Sequence, residues 1–195
     1  MGVPSAGHTQ LCEEPTERGL YRFDVGRLST VQAALASSAG IKLALTRLDG
    51  TRIADTTPGS TLRETLKQGT YLLAVSAPGR VGGDYTLALL VRVVTKTTLT
   101  ANGRARVTVP VGDTVVLQTE TTPTPAGGTA RLVLEYQDPL AGWVYRQSWD
   151  VSPGSSVQFA PPAVGAWRIR ATFFGTRGSS PSASHLVYLD ATTAG

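Results

Sequence analysis

Apolar and polar residues alternate with a period of two through most of the chain. Tyr21, Phe23 and Val25 are separated by charged neighbours, and the same spacing returns in residues 31–35 and 41–45. Successive side chains of a β-strand point to opposite faces of a sheet, so this alternation predicts half-buried strands. The segment 71–75 is apolar at every position, which indicates a central strand buried on both faces.

Turn-forming residues separate the predicted strands at intervals of about 8 to 12 residues, a spacing typical of all-β sandwiches. The dipeptide Asp49-Gly50 marks one such turn as a hairpin. Residues 62–66 form the only stretch that could pass as a helical turn, and it is too short to matter. The second half repeats the pattern with about seven further strands. The sequence therefore predicts an all-β fold.

An internal echo indicates two domains. Gly69–Val75 and Gly165–Ala171 share the order glycine, any residue, aromatic, any residue, aliphatic, any residue, small. They lie 96 residues apart, about the length of one sandwich domain. We predict two tandem antiparallel β-sandwiches of jelly-roll or Ig-like type. The predicted segments are an N-terminal arm or linker (1–18), a first domain (19–92), a second domain (96–190) and a C-terminal tail (191–195).

Two stretches resemble bacterial domain families. Residues 19–91 contain YRFDV, LALTRLDGTRIADT and LKQGTYLLAVSAPGRVGGDYTLAL, and they resemble the bacterial pre-peptidase C-terminal domain. Residues 97–190 contain VPVGDTVVLQTETTP, GGTARLVLEYQDPLAGWV and APPAVGAWRIRATF, and they resemble bacterial Ig-like repeats. The resemblance implies β-sandwich domains that accompany secreted enzymes or surface proteins, where they bind, space or assist without being catalytic.

Charge and hydropathy limit the classes of binding partner that the sequence predicts. The 195 residues include 18 basic and 14 acidic residues, a net charge of +4, and each half carries two more basic than acidic residues. The basic residues are scattered among acidic ones and form no basic face or run, so we predict no nucleic-acid binding. No stretch approaches the roughly 18 to 20 apolar residues of a membrane helix, so we predict no membrane span.

Candidate catalytic residues are few. The histidines are His8 and His185, and on a strand Ser184 would point away from its neighbour His185. We therefore predict a surface histidine and no catalytic residue. The single cysteine, Cys12, cannot form a disulfide within the chain.

Metal ligands are equally sparse. One cysteine and two histidines are too few for a zinc site. Acidic residues that could approach a calcium ion are Glu13, Glu14 and Glu17 with Asp24 or Asp84. Their spacing favours a solvated acidic arm over a calcium site. We predict no metal and no cofactor.

Aromatic residues are unevenly distributed along the chain, with four before residue 92 and nine after it. Trp143, Tyr145 and Trp149 have the same parity on one predicted strand, which would place them in a stripe on one face. Facing outward, the stripe could stack on sugar rings or contact a partner; facing inward, it would be core, the interpretation we favour. Phe173 and Phe174 are adjacent, so one should lie outside the core. The candidate contact residues are Trp143, Tyr145, Trp149 and Phe174.

Three functions are consistent with these observations. The leading hypothesis is a non-catalytic module pair of an exported protein, extracellular or on the cell surface, acting in adhesion, substrate attachment or spacing. Its partners would be a protein or polysaccharide surface, or neighbouring domains or subunits of an assembly. A start at Met1 without a signal peptide favours the alternative, a structural virion protein such as a capsid decoration or head-fibre subunit. The aromatic stripe alone suggests a carbohydrate-binding module.

Overall fold

Strands and connecting turns make up the described part of the protein. The structure is a computed structural model that describes residues 19–37, 40–76 and 85–193. The chain divides into two compact units, the N-terminal unit and the C-terminal unit, with the boundary between Val94 and Thr95. The described residues contain strands and no helix, which confirms the all-β prediction.

The described part of the N-terminal unit contains two antiparallel sheets. Its strands are β1 (Leu20–Val25), β2 (Ser29–Ser37), β3 (Lys42–Arg47), β4 (Arg52–Asp55), β5 (Leu62–Leu66), β6 (Gly69–Ser76) and β7 (Tyr85–Val93). One sheet has the order β1-β6-β3-β4 and the other has the order β5-β2-β7. Both sheets contribute their alternate apolar side chains to one core, as the period of two requires. That core contains Phe23, Val25, Val31, Ala33, Ile41, Leu43, Leu45, Leu62, Leu66, Tyr71, Leu73 and Val75.

The described part of the C-terminal unit also contains two sheets. Its strands are β8 (Lys96–Ala101), β9 (Arg106–Pro110), β10 (Val115–Thr122), β11 (Ala130–Asp138), β12 (Gly142–Val151), β13 (Ser156–Phe159), β14 (Gly165–Phe173), β15 (Ser182–Ala183) and β16 (Val187–Thr192). The smaller sheet has the order β13-β10-β8. The six-stranded sheet has the order β12-β11-β14-β16-β9, and β15 also pairs with β14. Its β9 and β16 run parallel, whereas its other pairs are antiparallel.

The core of the C-terminal unit again joins side chains from both sheets. Its buried members are Leu99, Ala101, Val107, Val115, Leu117, Leu132, Leu134, Trp167, Ile169, Ala171, Val187, Leu189 and Ala191. Partly buried aromatic rings, Tyr136, Trp149 and Phe159, pack against this cluster. The unit therefore surrounds an aliphatic centre with large rings.

The repeated glycine–aromatic motif forms the same corner in both units. Gly69 opens β6 with a φ of 157°, and Gly165 opens β14 with a φ of 134°. Two residues later, Tyr71 and Trp167 are both buried. The Tyr71 hydroxyl donates to the carbonyl oxygen four residues earlier at 2.9 Å, and Trp167 Nε1 does the same at 3.3 Å. Each ring therefore ties the start of its strand to the preceding turn.

One turn agrees with the sequence expectations, and two segments differ from them. The hairpin predicted at Asp49-Gly50 joins β3 to β4, and its Asp49 carboxylate accepts a hydrogen bond from the backbone amide of Thr51 at 2.8 Å. The possible helical turn at 62–66 is strand β5 instead, because its end residues face the core and its backbone pairs with β2. Strand β16 continues to Thr192, past the predicted end at 190, because Ala191 is buried opposite Val109. The predicted arm (1–18), the loop that ends at Asp84, and residues 194–195 lie outside the described residues.

A β-bulge interrupts the pairing of β11 with β12. Leu134 lies opposite Gln147, but the next residue of β11, Glu135, lies opposite Tyr145. Arg146 is therefore the extra residue of the bulge. Residues of equal parity before and after Arg146 consequently face opposite sides of the sheet.

Candidate contact face of the C-terminal unit

The bulge directs Trp143 and Tyr145 away from the core. Tyr145 lies opposite Glu135 and Trp143 lies opposite Gln137, on the side opposite to the buried Leu134. We call this side of the six-stranded sheet the outer face. Its aromatic and charged members are Arg106, Arg131, Glu135, Trp143, Tyr145, Asp150, Arg168, Arg170, Tyr188 and Asp190, with Phe174 beside the end of β14.

One row of side chains crosses five strands of the outer face in register. Following the pairing from β12 to β9, the row contains Tyr145, Glu135, Arg168, Tyr188 and Arg106. Neighbouring strands are about 4.8 Å apart, so the row is about 19 Å long. Tyr145 is 58% exposed and Tyr188 is 36% exposed. The row therefore presents an aromatic side chain on each side of a central acid–base pair.

The centre of the row is held by direct contacts. Arg168 Nε donates to Glu135 Oε2 at 2.5 Å, and both side chains are about three-quarters covered. The Arg168 guanidinium lies over the ring of Trp143, 4.4 Å from its centroid. The Trp143 and Tyr188 rings meet edge to face with centroids 6.4 Å apart. Each of these side chains therefore restrains its neighbour and holds it in place on the outer face.

The flank of the row on β9 and β16 carries a second ion pair. Arg106 Nε donates to Asp190 Oδ2 at 2.8 Å, and its guanidinium lies 5.8 Å from the centroid of the Tyr188 ring. The hydrogen bond and the charge of Asp190 raise the pKa of Arg106. Arg106 therefore stays charged and is positioned beside an exposed tyrosine.

The opposite end of the outer face repeats the combination of aromatic ring and arginine. Phe174 is 52% exposed, and the guanidinium of Arg131 lies 5.4 Å from its ring centroid. Arg131 also pairs with Asp150 through two hydrogen bonds of 2.7 and 2.8 Å. The hydrogen bond from Arg131 lowers the pKa of Asp150, so that carboxylate is charged at neutral pH.

The outer face carries a net positive charge. Its acids, Glu135, Asp150 and Asp190, are each engaged by an arginine. Arg170 also points to this side from β14, is exposed, and has no acidic partner within 4 Å among residues 19–37, 40–76 and 85–193. An incoming acidic group would meet this arginine without displacing an existing ion pair.

The prediction that Trp143, Tyr145 and Trp149 share one face is wrong for Trp149, and the favoured interpretation of the stripe as core is wrong for Trp143 and Tyr145, which lie on the outer face. Trp149 follows the bulge, pairs with the buried Leu132, and packs its ring on Phe159 with centroids 5.9 Å apart. It therefore belongs to the margin of the core. The expectation for the phenylalanine pair is confirmed, because Phe173 is fully buried and Phe174 is exposed.

Sequence reasoning missed four members of the row: Arg106, Glu135, Arg168 and Tyr188. A signal existed for the tyrosine, since it lies between the buried Val187 and Leu189 and must point outward on a strand. The register that brings these four residues together comes from strand pairing between distant segments, which no local pattern encodes.

The remaining candidates for chemistry lie apart from this face. His185 is exposed as predicted, and the Ser184 hydroxyl donates to its backbone carbonyl oxygen at 2.7 Å. Cys12 and the acidic residues of the arm are outside the described residues. Across the described ranges, no histidine, cysteine and carboxylate side chains gather in threes at metal-binding distance. Nor does that part of the chain contain a helix of the length and apolarity needed to cross a bilayer.

Comparison with protein families and with curated proteins finds no match. Among solved structures, the chain is similar to a β-glucuronidase 3 of Bacteroides uniformis, at 13% identity and a TM-score of 0.31, over 88% of this chain and 26% of that one. A Faecalibacterium prausnitzii β-glucuronidase gives 13%, 0.30, 88% and 36% in the same order, and one from Ruminococcus gnavus gives 8%, 0.29, 97% and 39%. This chain thus spans about a quarter to two-fifths of the length of those enzymes. Similarity at this level assigns neither a family nor an activity to it.

Proposed function

We propose that this chain is a non-catalytic accessory module pair of an exported or surface protein, and that it attaches to a protein partner through the outer face. The observation that carries this proposal is the display of Trp143, Tyr145 and Tyr188 beside Arg106 and Arg168 on one sheet face. Tryptophan, tyrosine and arginine are the side chains that contribute most to protein–protein binding.

The contacts within the outer face support this assignment energetically. Binding costs free energy when flexible side chains become fixed, about 0.5 to 1.5 kcal/mol for each one. Arg168 is already held between Glu135 and Trp143, so part of this ordering is complete in the free protein. A partner that docks there gains contact area without paying the full entropic cost.

A protein partner fits this face better than a polysaccharide does. The carbohydrate hypothesis depended on three aromatic rings in line, and Trp149 packs against the core instead. One side of the Trp143 ring is covered by the Arg168 guanidinium, which limits stacking of a sugar ring. What remains is a mixed surface of separate rings and charged groups, the composition of a protein interface.

The proposed architecture is a tandem of two β-sandwiches, the first like the pre-peptidase C-terminal domain and the second Ig-like. In support, each unit has two sheets that share one core. In the C-terminal unit, the grouping of β8 with β10 and β13, and of β11 with β14 and β16, follows the A-B-E and C-F-G groups of Ig domains. Domains of these two types are found outside the cell or on its surface, where an attachment module would act.

The test compares capture by the parent protein with capture by variants of the outer face. The full chain is immobilised, exposed to solubilised surface proteins of the source cell, and the captured protein is identified and purified. Its affinity is then measured for the parent, for the double variant Tyr145→Ala, Tyr188→Ala, and for Leu140→Ala. Leu140 is 99% exposed in the turn between β11 and β12, so it is a matched apolar control off the outer face.

We expect the double variant to bind about tenfold more weakly or worse, because truncating central aromatic residues costs more than about 1 kcal/mol each. The control should bind like the parent. Equal affinity of the double variant and the parent would contradict the assignment of the contact face. Binding of the parent to a polysaccharide array, lost in the same double variant, would replace the protein partner with a carbohydrate.

A further inference from the structure

The two edges of sheet β5-β2-β7 in the N-terminal unit differ in how they discourage pairing with another strand. An edge strand exposes unpaired backbone amides and carbonyls, and proteins protect such edges with short strands, charges or bulges. Strand β5 has five residues, and Glu64 points toward the core side because it lies opposite the buried Val31. A carboxylate there would be buried by an added strand, so this edge is protected.

Strand β7 lacks these protections. It has nine residues, contains neither proline nor glycine, pairs with β2 without a register shift, and carries only one charged residue, Arg92. In the part of the chain that the structure describes, no strand pairs with its other side. It therefore presents a long, regular and apolar edge.

The side chains of β7 are also incompletely covered. Leu87, Leu89 and Val91 point to the core, opposite residues of β2 such as the fully buried Ala33, but all three remain partly exposed. At the other edge of the same sheet, the ends of β5 are buried. Arg92 Nε is buried with no hydrogen-bond partner among the described residues. The free edge of the sheet therefore carries apolar side chains that are only partly covered.

We propose that β7 pairs antiparallel with β7 of a second copy of this chain, about a two-fold axis through Leu89. This register is the one that pairs all nine residues of the strand. It places Leu89 opposite its own copy, Leu87 opposite Val91 and Tyr85 opposite Val93, which continues the apolar inner face. On the outer side, Ala88 lies opposite Leu90 and Thr86 lies opposite Arg92.

The strand is self-complementary in this register. Every core-side residue meets an apolar residue or the Tyr85 ring, and on the outer side the single charged residue, Arg92, lies opposite Thr86. The two copies of Arg92 are six positions apart, about 20 Å, so like charges do not face each other. A two-fold axis needs this self-complementarity, since the same patch serves both subunits.

The first measurement is the mass of the full chain by sedimentation across a wide range of concentration. The proposal expects a concentration-dependent dimer. Leu89→Lys places two ammonium groups against each other at the axis, and should weaken the dimer about tenfold or more. A parent protein that remains monomeric throughout overturns the proposal.

A second measurement tests the register and does not depend on how well the lysine variant folds. In a Cys12→Ser background, Leu89→Cys puts two cysteines opposite each other with Cα atoms about 4.5 to 5.5 Å apart, within disulfide range. Thr86→Cys is the control on the same strand, because its two copies are about 20 Å apart in this register. Mild oxidation should join Leu89→Cys chains into covalent dimers and leave Thr86→Cys chains single. Equal cross-linking of both variants overturns the register.

Discussion

In the N-terminal unit, the buried Tyr71 donates from its hydroxyl to the backbone four residues back, and in the C-terminal unit Trp167 does the same from its indole. The surroundings of the two rings differ. Tyr71 stacks on one ring, Phe23, at 5.9 Å, whereas Trp167 meets Tyr136 at 4.7 Å and Phe159 at 5.6 Å. The same hydrogen bond from a corner ring to the backbone thus supports a mainly aliphatic core in one unit and a core rimmed by aromatic rings in the other.

The same asymmetry extends to the surfaces. Nine of the thirteen aromatic residues follow residue 92, which is enough to line the core margin and still supply rings to the outer face. The N-terminal unit has four, and Tyr21 and Tyr85 join its two sheets through a hydroxyl–hydroxyl bond of 2.5 Å. In the part of this unit that the structure describes, one side of β7 has no paired strand. The two units therefore differ in their surfaces. The C-terminal unit has a sheet face that carries aromatic and charged side chains, and the described part of the N-terminal unit has an unpaired strand edge.

The largest expected effect comes from removing each corner ring. Trp167→Ala should cost the C-terminal unit about 4 to 5 kcal/mol, and Tyr71→Ala should cost the N-terminal unit about 3 kcal/mol, because Trp167 loses more packed neighbours. Hydrogen exchange resolves the two units separately. Fluorescence of Trp143 and Trp149 also follows the C-terminal unit alone, since all three tryptophans lie there. Equal losses in both units from either substitution would contradict the separate cores.

The corner glycines give a smaller and sharper contrast. A Cβ at Gly165 would lie 2.9 Å from the ring of Tyr136, whereas a Cβ at Gly69 would have its nearest contact at 3.6 Å, on Tyr71. Gly165→Ala should therefore destabilise its unit by about 2 to 3 kcal/mol, from strain and overpacking together, and Gly69→Ala by about 1 kcal/mol. Denaturant unfolding, monitored in each unit by hydrogen exchange, measures the loss of stability in both variants. The reverse order would show that backbone conformation outweighs contact with the neighbouring ring.

The smallest effect is a pH dependence in the N-terminal unit. Burial, followed by the hydrogen bond that the Tyr85 hydroxyl makes with Tyr21, raises the pKa of Tyr85 to about 12, above its ordinary value of 10.0. The raised pKa means that the protonated hydroxyl stabilises the fold fully below pH 10, and that this contribution is lost as the pH rises toward about 12. Tyrosinate absorbance should show a late step that shifts to lower pH in Tyr21→Phe and not in the control Tyr145→Phe. If the step does not move in Tyr21→Phe, the hydrogen bond with Tyr21 does not contribute to the raised pKa of Tyr85.

Strand positions were accessible from the sequence because burial of one sheet face imposes a period of two, as in residues 41–45. The glycine–aromatic echo was accessible for a related reason: a positive φ, followed two residues later by a buried ring, leaves a fixed spacing in any chain that uses it. Residues 62–66 show the limit of this approach. Their pattern allowed a helical turn, and pairing with β2 decided for a strand.

The contact face was only partly accessible. Trp143 and Tyr145 could be assigned to one side by parity, but the extra residue Arg146 changes the side for Trp149. A bulge depends on how two strands align, and nothing in the local alternation marks it. The partners Arg168 and Tyr188 come from strands that follow by more than twenty residues, so their place in the row is a property of the sheet order.

The parallel pairing of β9 with β16 determines how the C-terminal unit bears a pulling force. Once β8 has separated from β10, tension along the chain draws β9 toward its N-terminal end and β16 toward its C-terminal end. Because the strands are parallel, these pulls oppose each other along the strand axis and load the five residue pairs, from Arg106 with Tyr188 to Pro110 with Thr192, together in shear. A hairpin pulled open from one end breaks its pairs one after another, whereas this seam must yield as a whole. A unit pulled through both of its chain ends would thus resist opening at this seam.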